Sequence, residues 1–225
     1  MLRAVIFDVD GTLVDSNDLH ARAWQEAFAH FGIDVPFDRV RSQIGKGADQ
    51  LIPSLLPPAS AKKLYGPLSE YRSRLFKEKY QDQVRGFPAV RDLFVRILKD
   101  GRKVALASSA SQEELTKLKQ AANIEDLIDK QTSADDADKS KPHPDIVEAA
   151  LQRLKVHADE AVMIGDTPYD AIAASRLHVR TIGVLCGGFP EADLRKAGCI
   201  EIYKDPADLL GNYEKSALAE APLAA

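Results

Sequence analysis

The chain has 225 residues, 45% of them hydrophobic and 28% charged, with a formal net charge of −4. That length suits one large domain or a core domain with a smaller insert. The acidic balance (pI about 5.8) excludes a global basic footprint for nucleic acid.

The first element is a strand over residues 3 to 8, which ends in "FDVDGT". Its apolar run is too short for a signal peptide and is broken by Asp8. No stretch is apolar for long enough to span a membrane. Residues 15 to 85 contain only helical patterns. "NDLHARAWQEAFAHFG" carries a stripe of Leu19, Ala23, Trp24, Ala27, Phe28 and Phe31, ended by Gly32. "ASAKKLYGPLSEYRSRLFKEKY" predicts one or two more helices. Arg72, Arg74, Lys77 and Lys79 read as a mostly solvated face from which one cation could turn inward. Gly86-Phe87-Pro88 makes a hinge.

The sheet rhythm then resumes. A helix starts near Pro88 and stops at Gly101, and "KVALASS" (103 to 109) is the next strand. Ser111 with Glu114 three residues on is a capping-box pattern opening a helix. A weak strand falls near 130 to 133, and "HPDIVEAALQRLKV" is a further amphipathic helix. "AVMIGD" (161 to 166), "VRTIGVL" (179 to 185) and "IEIY" (200 to 203) complete the strands. Several runs are continuously apolar, which suits a parallel sheet buried on both faces. The expected fold is α/β: a doubly wound, Rossmann-like parallel sheet core over 1–14 and 86–215, with an inserted helical unit over 15–85. Residues 216–225 are Ala-rich without aromatics and are expected to fray. Cys186 and Cys199 form no CxxC pair and read as reduced thiols of a cytoplasmic protein.

In such folds ligands bind beyond the carboxyl ends of the strands. Asp8, Asp10, Ser108, Ser109 and Asp166 all fall at that edge. Asp8 and Asp10 point the same way if the extended geometry continues, and their mutual repulsion calls for a hard divalent cation. Mg²⁺ takes a few carboxylate oxygens plus water and substrate phosphate, and Asp166 can supply a third oxygen. Lys141 in "SKPHPD" adds a fixed positive charge. These parts suit phosphoryl transfer. Asp8 is the candidate nucleophile, Asp10 the general acid and then base, and Ser108 a donor to a phosphoryl oxygen.

The sequence resembles the haloacid dehalogenase-like superfamily of phosphohydrolases. "DVDGT" at 8 to 12 matches its first motif, "ALASS" its second at Ser108, "KPHPD" its third at Lys141, and "IGDTPYD" its fourth at Asp166 and Asp170. The resemblance implies Mg²⁺ held by Asp8, the Asp10 carbonyl and Asp166, with Thr12 and Asp170 supporting. Asp170 also reads as a first-turn helix acid. It implies further that the helical insert is a movable cap. On that cap, His20 is either an interface histidine or a group that faces the nucleophile on closure. Lys46, between two glycines, either reads the non-phosphate part of a substrate or is solvated.

The expected substrate is a small phosphorylated metabolite rather than nucleic acid or membrane, and a monomer is the default. The similar subgroup contains phosphoglycolate phosphatases and β-phosphoglucomutases. A sugar-phosphate mutase is therefore the alternative, although the mutases' Glu-Asp-Ser is Gly165-Asp166-Thr167 here. A signalling module that stores a phosphoaspartate would leave Asp10 and the insert unexplained.

Overall fold

The computed structural model describes residues 1–128, 131–132 and 138–219. Its elements in chain order are β1 (Ala4–Phe7), β2 (Val14–Asp15), α1 (Asn17–His30), α2 (Phe37–Arg41), α3 (Ala48–Leu55), α4 (Pro58–Leu75), β3 (Arg85–Gly86), α5 (Val90–Lys99), β4 (Lys103–Ala107), α6 (Gln112–Ala121), β5 (Gln131–Thr132), α7 (Asp145–Leu154), β6 (Ala161–Gly165), α8 (Pro168–Ser175), β7 (Arg180–Val184), α9 (Glu191–Ala197), β8 (Glu201–Tyr203) and α10 (Pro206–Gly211).

Six strands form one parallel sheet in the order β5-β4-β1-β6-β7-β8. β1 lies centrally and is wholly buried. Its alternating side chains feed two layers, as the period of an extended chain requires. Val5 and Phe7 join a cluster with Leu93, Phe94, Leu106, Leu115 and Tyr213. Ala4 and Ile6 join another with Val147, Leu151, Met163 and Ala173. The Phe7 and Phe94 rings stack with centroids 4.5 Å apart. Helices on both faces explain why the strands are continuously apolar. The weak strand expected near 130 to 133 is present at Gln131–Thr132, beside Leu106 and Ala107; positions 130 and 133 lie outside the described residues.

The helical stretch has a core of its own, built from Trp24, Phe28, Val40, Ile44, Leu51, Ile52 and Leu68. The long second pattern is one helix, α4, which contains Pro67 and runs into a π turn over Phe76–Tyr80. α1 faces both units: Trp24 and Phe28 pack in the helical core, whereas Ala23 belongs to the sheet core. Where the stretch leaves and rejoins the sheet domain, Val14 pairs antiparallel with Gly86 and Asp15 with Arg85. This two-residue ladder carries no period that a sequence pattern could register.

The tail expectation is corrected for residues 216–219. Ser216, Ala217 and Leu218 are buried, and the Ala217 N–H donates to the Glu201 carboxylate at 3.0 Å. Buried Arg102 donates to the Tyr213 hydroxyl at 2.7 Å and pairs with Asp100 at 2.8 Å. Leu218, buried in the same cluster as the preceding Tyr213, anchors the segment despite its low complexity. Residues 220–225 lie outside the described residues. Among the described residues, no helix is long and apolar enough to cross a membrane.

Candidate active site

Register puts the acids together. Phe7 lies opposite Ile164 in the sheet, and the Asp8 N–H donates to the Ile164 carbonyl at 2.9 Å. Asp8 therefore leaves the tip of β1 just as Asp166 leaves the tip of β6. Both carboxylates are buried, as is Asp170 in the first turn of α8. Oxygen atoms from Asp8, Asp166 and Asp170 all lie within 4.8 Å of one another.

Lys141 enters this group from the loop before α7. Its ammonium donates to Asp8 Oδ1 and, at 2.8 Å, to Asp170 Oδ1. Thr12 Oγ1 lies 3.2 Å from Asp8 Oδ2 and 3.1 Å from Asp166 Oδ1. Asn17, the first residue of α1, donates from Nδ2 to Asp166 Oδ2 at 2.7 Å and to the Gly187 carbonyl at 3.0 Å. Asp170 also closes the start of its own helix: its Oδ2 accepts the Thr167 N–H at 3.0 Å and the Thr167 hydroxyl at 2.7 Å. Asp170 thus sits in the first turn of α8 and beside the Asp8 and Asp166 carboxylates.

The backbone is pressed close around Asp166. A Cβ on Gly187 would fall 1.7 Å from Asp166 Oδ2, and one on Gly11, whose φ is +77°, would fall 2.4 Å from it. Only glycine fits such an approach.

The charges do not balance. Burial pushes the Asp8 carboxyl up to about 7; Lys141 opposes the shift and Asp170 adds to it. Burial, then Asp8 and Asp170, hold Asp166 well above the usual carboxylate range. Burial alone would lower the Lys141 ammonium, but Asp170 and Asp8 outweigh it and hold it raised. Among the described residues, Asp166 has no cationic partner, only Thr12 and Asn17. Three buried acids facing one ammonium, all with hard oxygen donors, fit a small divalent cation.

Asp10 is set apart from this group. Its Oδ1 accepts from Ser16 Oγ at 2.6 Å and lies 2.8 Å from His20 Nε2. Arg72 donates to His20 Nδ1, and guanidinium has no acceptor, so Nδ1 accepts and Nε2 carries the proton toward Asp10. Burial would raise the Asp10 carboxyl, but His20, Ser16 and Arg72 outweigh it and hold it below its usual range. His20 also stacks on Phe76 at 4.0 Å.

A cavity of about 300 Å³ opens over Asp8 and Asp10, lined also by His20, Trp24, Lys46, Arg72, Ser109 and Glu114. Ser108 is fully buried just past β4, and its Oγ accepts the Ala110 N–H at 3.1 Å. It lines a neighbouring cavity with Ser109 and Ser140. Lys46 lines the main cavity, with its ammonium on Gln43 Oε1 at 2.6 Å and Ser54 Oγ at 3.0 Å, above the Tyr169 ring.

Sequence reasoning missed several residues here. Arg72 is the cation of α4 that turns inward, over the Trp24 and Phe76 rings. Asn17 carried no signal beyond a polar helix start. The tie between the helical unit and the Lys141 loop was also missed. Asp49 of α3 accepts the Ser140 hydroxyl at 2.5 Å and its N–H at 3.1 Å, and Ser140 Oγ accepts the Gly47 N–H at 2.9 Å. Nothing local couples residues so far apart in the chain.

The model of the haloacid dehalogenase-like hydrolase family matches residues 5–184. A protein of Caldanaerobacter subterraneus named "Putative pyrophosphatase PpaX" is 30% identical over 197 residues, 87% of each chain. A phosphoglycolate phosphatase of Yersinia pestis is 30% identical over 190 residues, covering 83% of this chain and 82% of its own. The crystal structure of a hydrolase from Pseudomonas syringae superposes with a TM-score of 0.85 at 29% identity, covering 96% of this chain and 99% of that one.

Proposed function

The chain belongs to the haloacid dehalogenase-like hydrolases, and from that premise we propose that this enzyme is a Mg²⁺-dependent phosphatase that hydrolyses a small phosphorylated metabolite through an aspartyl-phosphate on Asp8. The observation that carries the reading is the placement of Asp8 between the Lys141 ammonium and Thr12, with the Asp10 carboxylate facing the same cavity.

Asp8 attacks the phosphorus, and the bond to the leaving oxygen breaks. Lys141 and Ser108 offset charge on the phosphoryl oxygens as they approach the carboxylate. Asp8, Asp166 and the Asp10 carbonyl are the proposed ligands of Mg²⁺, which when bound would neutralise carboxylate and phosphoryl charge. Asp10 is held ionised at rest by its neighbours. The negative charge of the phosphate raises the Asp10 carboxyl as the substrate binds, so that Asp10 takes up a proton from solvent and passes it to the leaving oxygen. In the second half Asp10 takes a proton from water, which attacks the phosphorus and frees Asp8. His20 and Ser16 fix the Asp10 carboxylate for both transfers.

The helical unit is the proposed cap. It contributes His20, Trp24, Lys46 and Arg72 to the cavity wall, and the two-residue ladder of β2 and β3 is its hinge. The cavity volume favours a small metabolite over a phosphoprotein. The names of two relatives, a pyrophosphatase and a phosphoglycolate phosphatase, support hydrolysis of small phosphate compounds.

The test is phosphate release from a panel of phosphorylated metabolites with Mg²⁺ and with EDTA. Release that requires the added ion is expected. No release from any compound, or equal release in EDTA, would overturn the proposal.

A further inference from the structure

Among the described residues, three buried side-chain atoms near the cavity have no hydrogen-bond partner: Ser69 Oγ, Arg72 Nε and Glu114 Oε1. All three residues line the one cavity that opens over Asp8 and Asp10. Buried polar groups are nearly always bonded in folded proteins; these atoms sit just behind the cavity wall, and rotation of the side chains that carry them, which line the cavity, turns them toward a ligand that completes them. Ser69 and Arg72 come from α4 in the helical unit, and Glu114 comes from α6 beside the sheet. Arg72 Nη1 and Glu114 Oε2 are 3.8 Å apart, an ion pair too long for a direct hydrogen bond.

The unmet needs are mixed. Arg72 Nε can only donate, Glu114 Oε1 as a carboxylate oxygen can only accept, and Ser69 can do either. The terminal torsion of a glutamate is soft, so either Glu114 oxygen can turn to a ligand in the cavity. A carboxylate or phosphate on the leaving group is acceptor-only: it would satisfy Arg72, but it would face Glu114 with like charge. A hydroxyl satisfies both.

We propose that Glu114, with Arg72 and Ser69, selects a polyhydroxylated leaving group, so that the substrate is the phosphate ester of a small polyol or sugar rather than a phosphate compound with a second anion. This rests on the phosphatase reading above and sharpens its substrate class. It places a specificity residue on the sheet domain, where closure of the helical unit brings Arg72 to meet it.

The experiment uses the full chain with Mg²⁺. The specificity constant kcat/KM is measured for glycerol phosphate, pentitol phosphates and hexose phosphates, and for phosphoglycolate and pyrophosphate, with p-nitrophenyl phosphate as a general probe. The polyol and sugar esters are expected to lead by about tenfold or more, because a site built to bond hydroxyls rejects ligands that leave its groups unpaired. In Glu114→Gln that ratio should fall by about tenfold, chiefly through KM, since charged partners carry the stronger bonds. Ser69→Ala should lower it in the same direction and serves if Glu114→Gln does not fold. A wild-type preference for phosphoglycolate or pyrophosphate would overturn the inference. So would an unchanged ratio in a folded Glu114→Gln. Failure of every compound, p-nitrophenyl phosphate included, would instead reject the phosphatase reading beneath it.

Discussion

Lys141 donates to Asp8 across a sequence separation of 133 residues, and both side chains are buried. The same ammonium holds Asp170 at 2.8 Å. One cation therefore orients the candidate nucleophile and restrains the acid crowd around it.

Replacing Lys141 with Met should harm both stability and turnover. Breaking a buried charge pair costs about 3–5 kcal/mol, and loss of one preorganised donor costs about 10²–10³ in kcat. Thermal denaturation and steady-state kinetics test this. An unchanged midpoint together with wild-type kcat would remove Lys141 from both roles.

Asn17 fixes one oxygen of Asp166. Asn17→Ala should raise the Mg²⁺ concentration needed for half-maximal activity, and should weaken Mg²⁺ binding by titration calorimetry. Partners that orient metal ligands cost about 10–100-fold in affinity when removed. The same Mg²⁺ dissociation constant as wild type would contradict this placement.

The tie between Asp49 and Ser140 should hold across the neutral range. Burial would raise the Asp49 carboxyl, but bonds from Ser140 and Gln50 outweigh it and keep it below its ordinary 3.8. A lowered folded value means that its stabilisation is present above the unfolded value and is lost as pH falls through the folded one. Asp49→Asn should thus melt below wild type at neutral pH, and the gap should close under acid. It should also raise KM, because the helical unit is held less firmly beside the Lys141 loop. A gap between melting midpoints that stays constant down to about pH 3, below the ordinary carboxylate range, would contradict the assignment.

Strand tips were legible because a continuously apolar run that stops at an acid has few meanings in a doubly wound sheet. That logic located Asp8 and Asp166, and the order of motifs brought in Lys141 and Asp170. Arg72 was not legible. Four cations near the end of α4 look alike in sequence, and only packing against Trp24 and Phe76 turns one of them inward. Glu114 was read as half of a capping box, and Ser111 does accept its N–H at 3.3 Å. Its carboxylate instead belongs to the cavity wall, which a local motif could not reveal. The tail misled for a related reason: its alanines hid one anchor, Leu218, whose burial in the same cluster as Phe94 and Tyr213 depends on residues distant in the chain.

The central claim is that Asp8 carries the phosphoryl group. Its most direct test is to quench the enzyme during turnover, trap the acyl phosphate with borohydride, and map the modified peptide by mass spectrometry. The account predicts modification of Asp8 in the wild type, and in Asp8→Asn no trapped product and a turnover loss of at least about 10³-fold, the order expected when an essential nucleophile is removed. Modification at another residue, or near-normal turnover in Asp8→Asn, would contradict it.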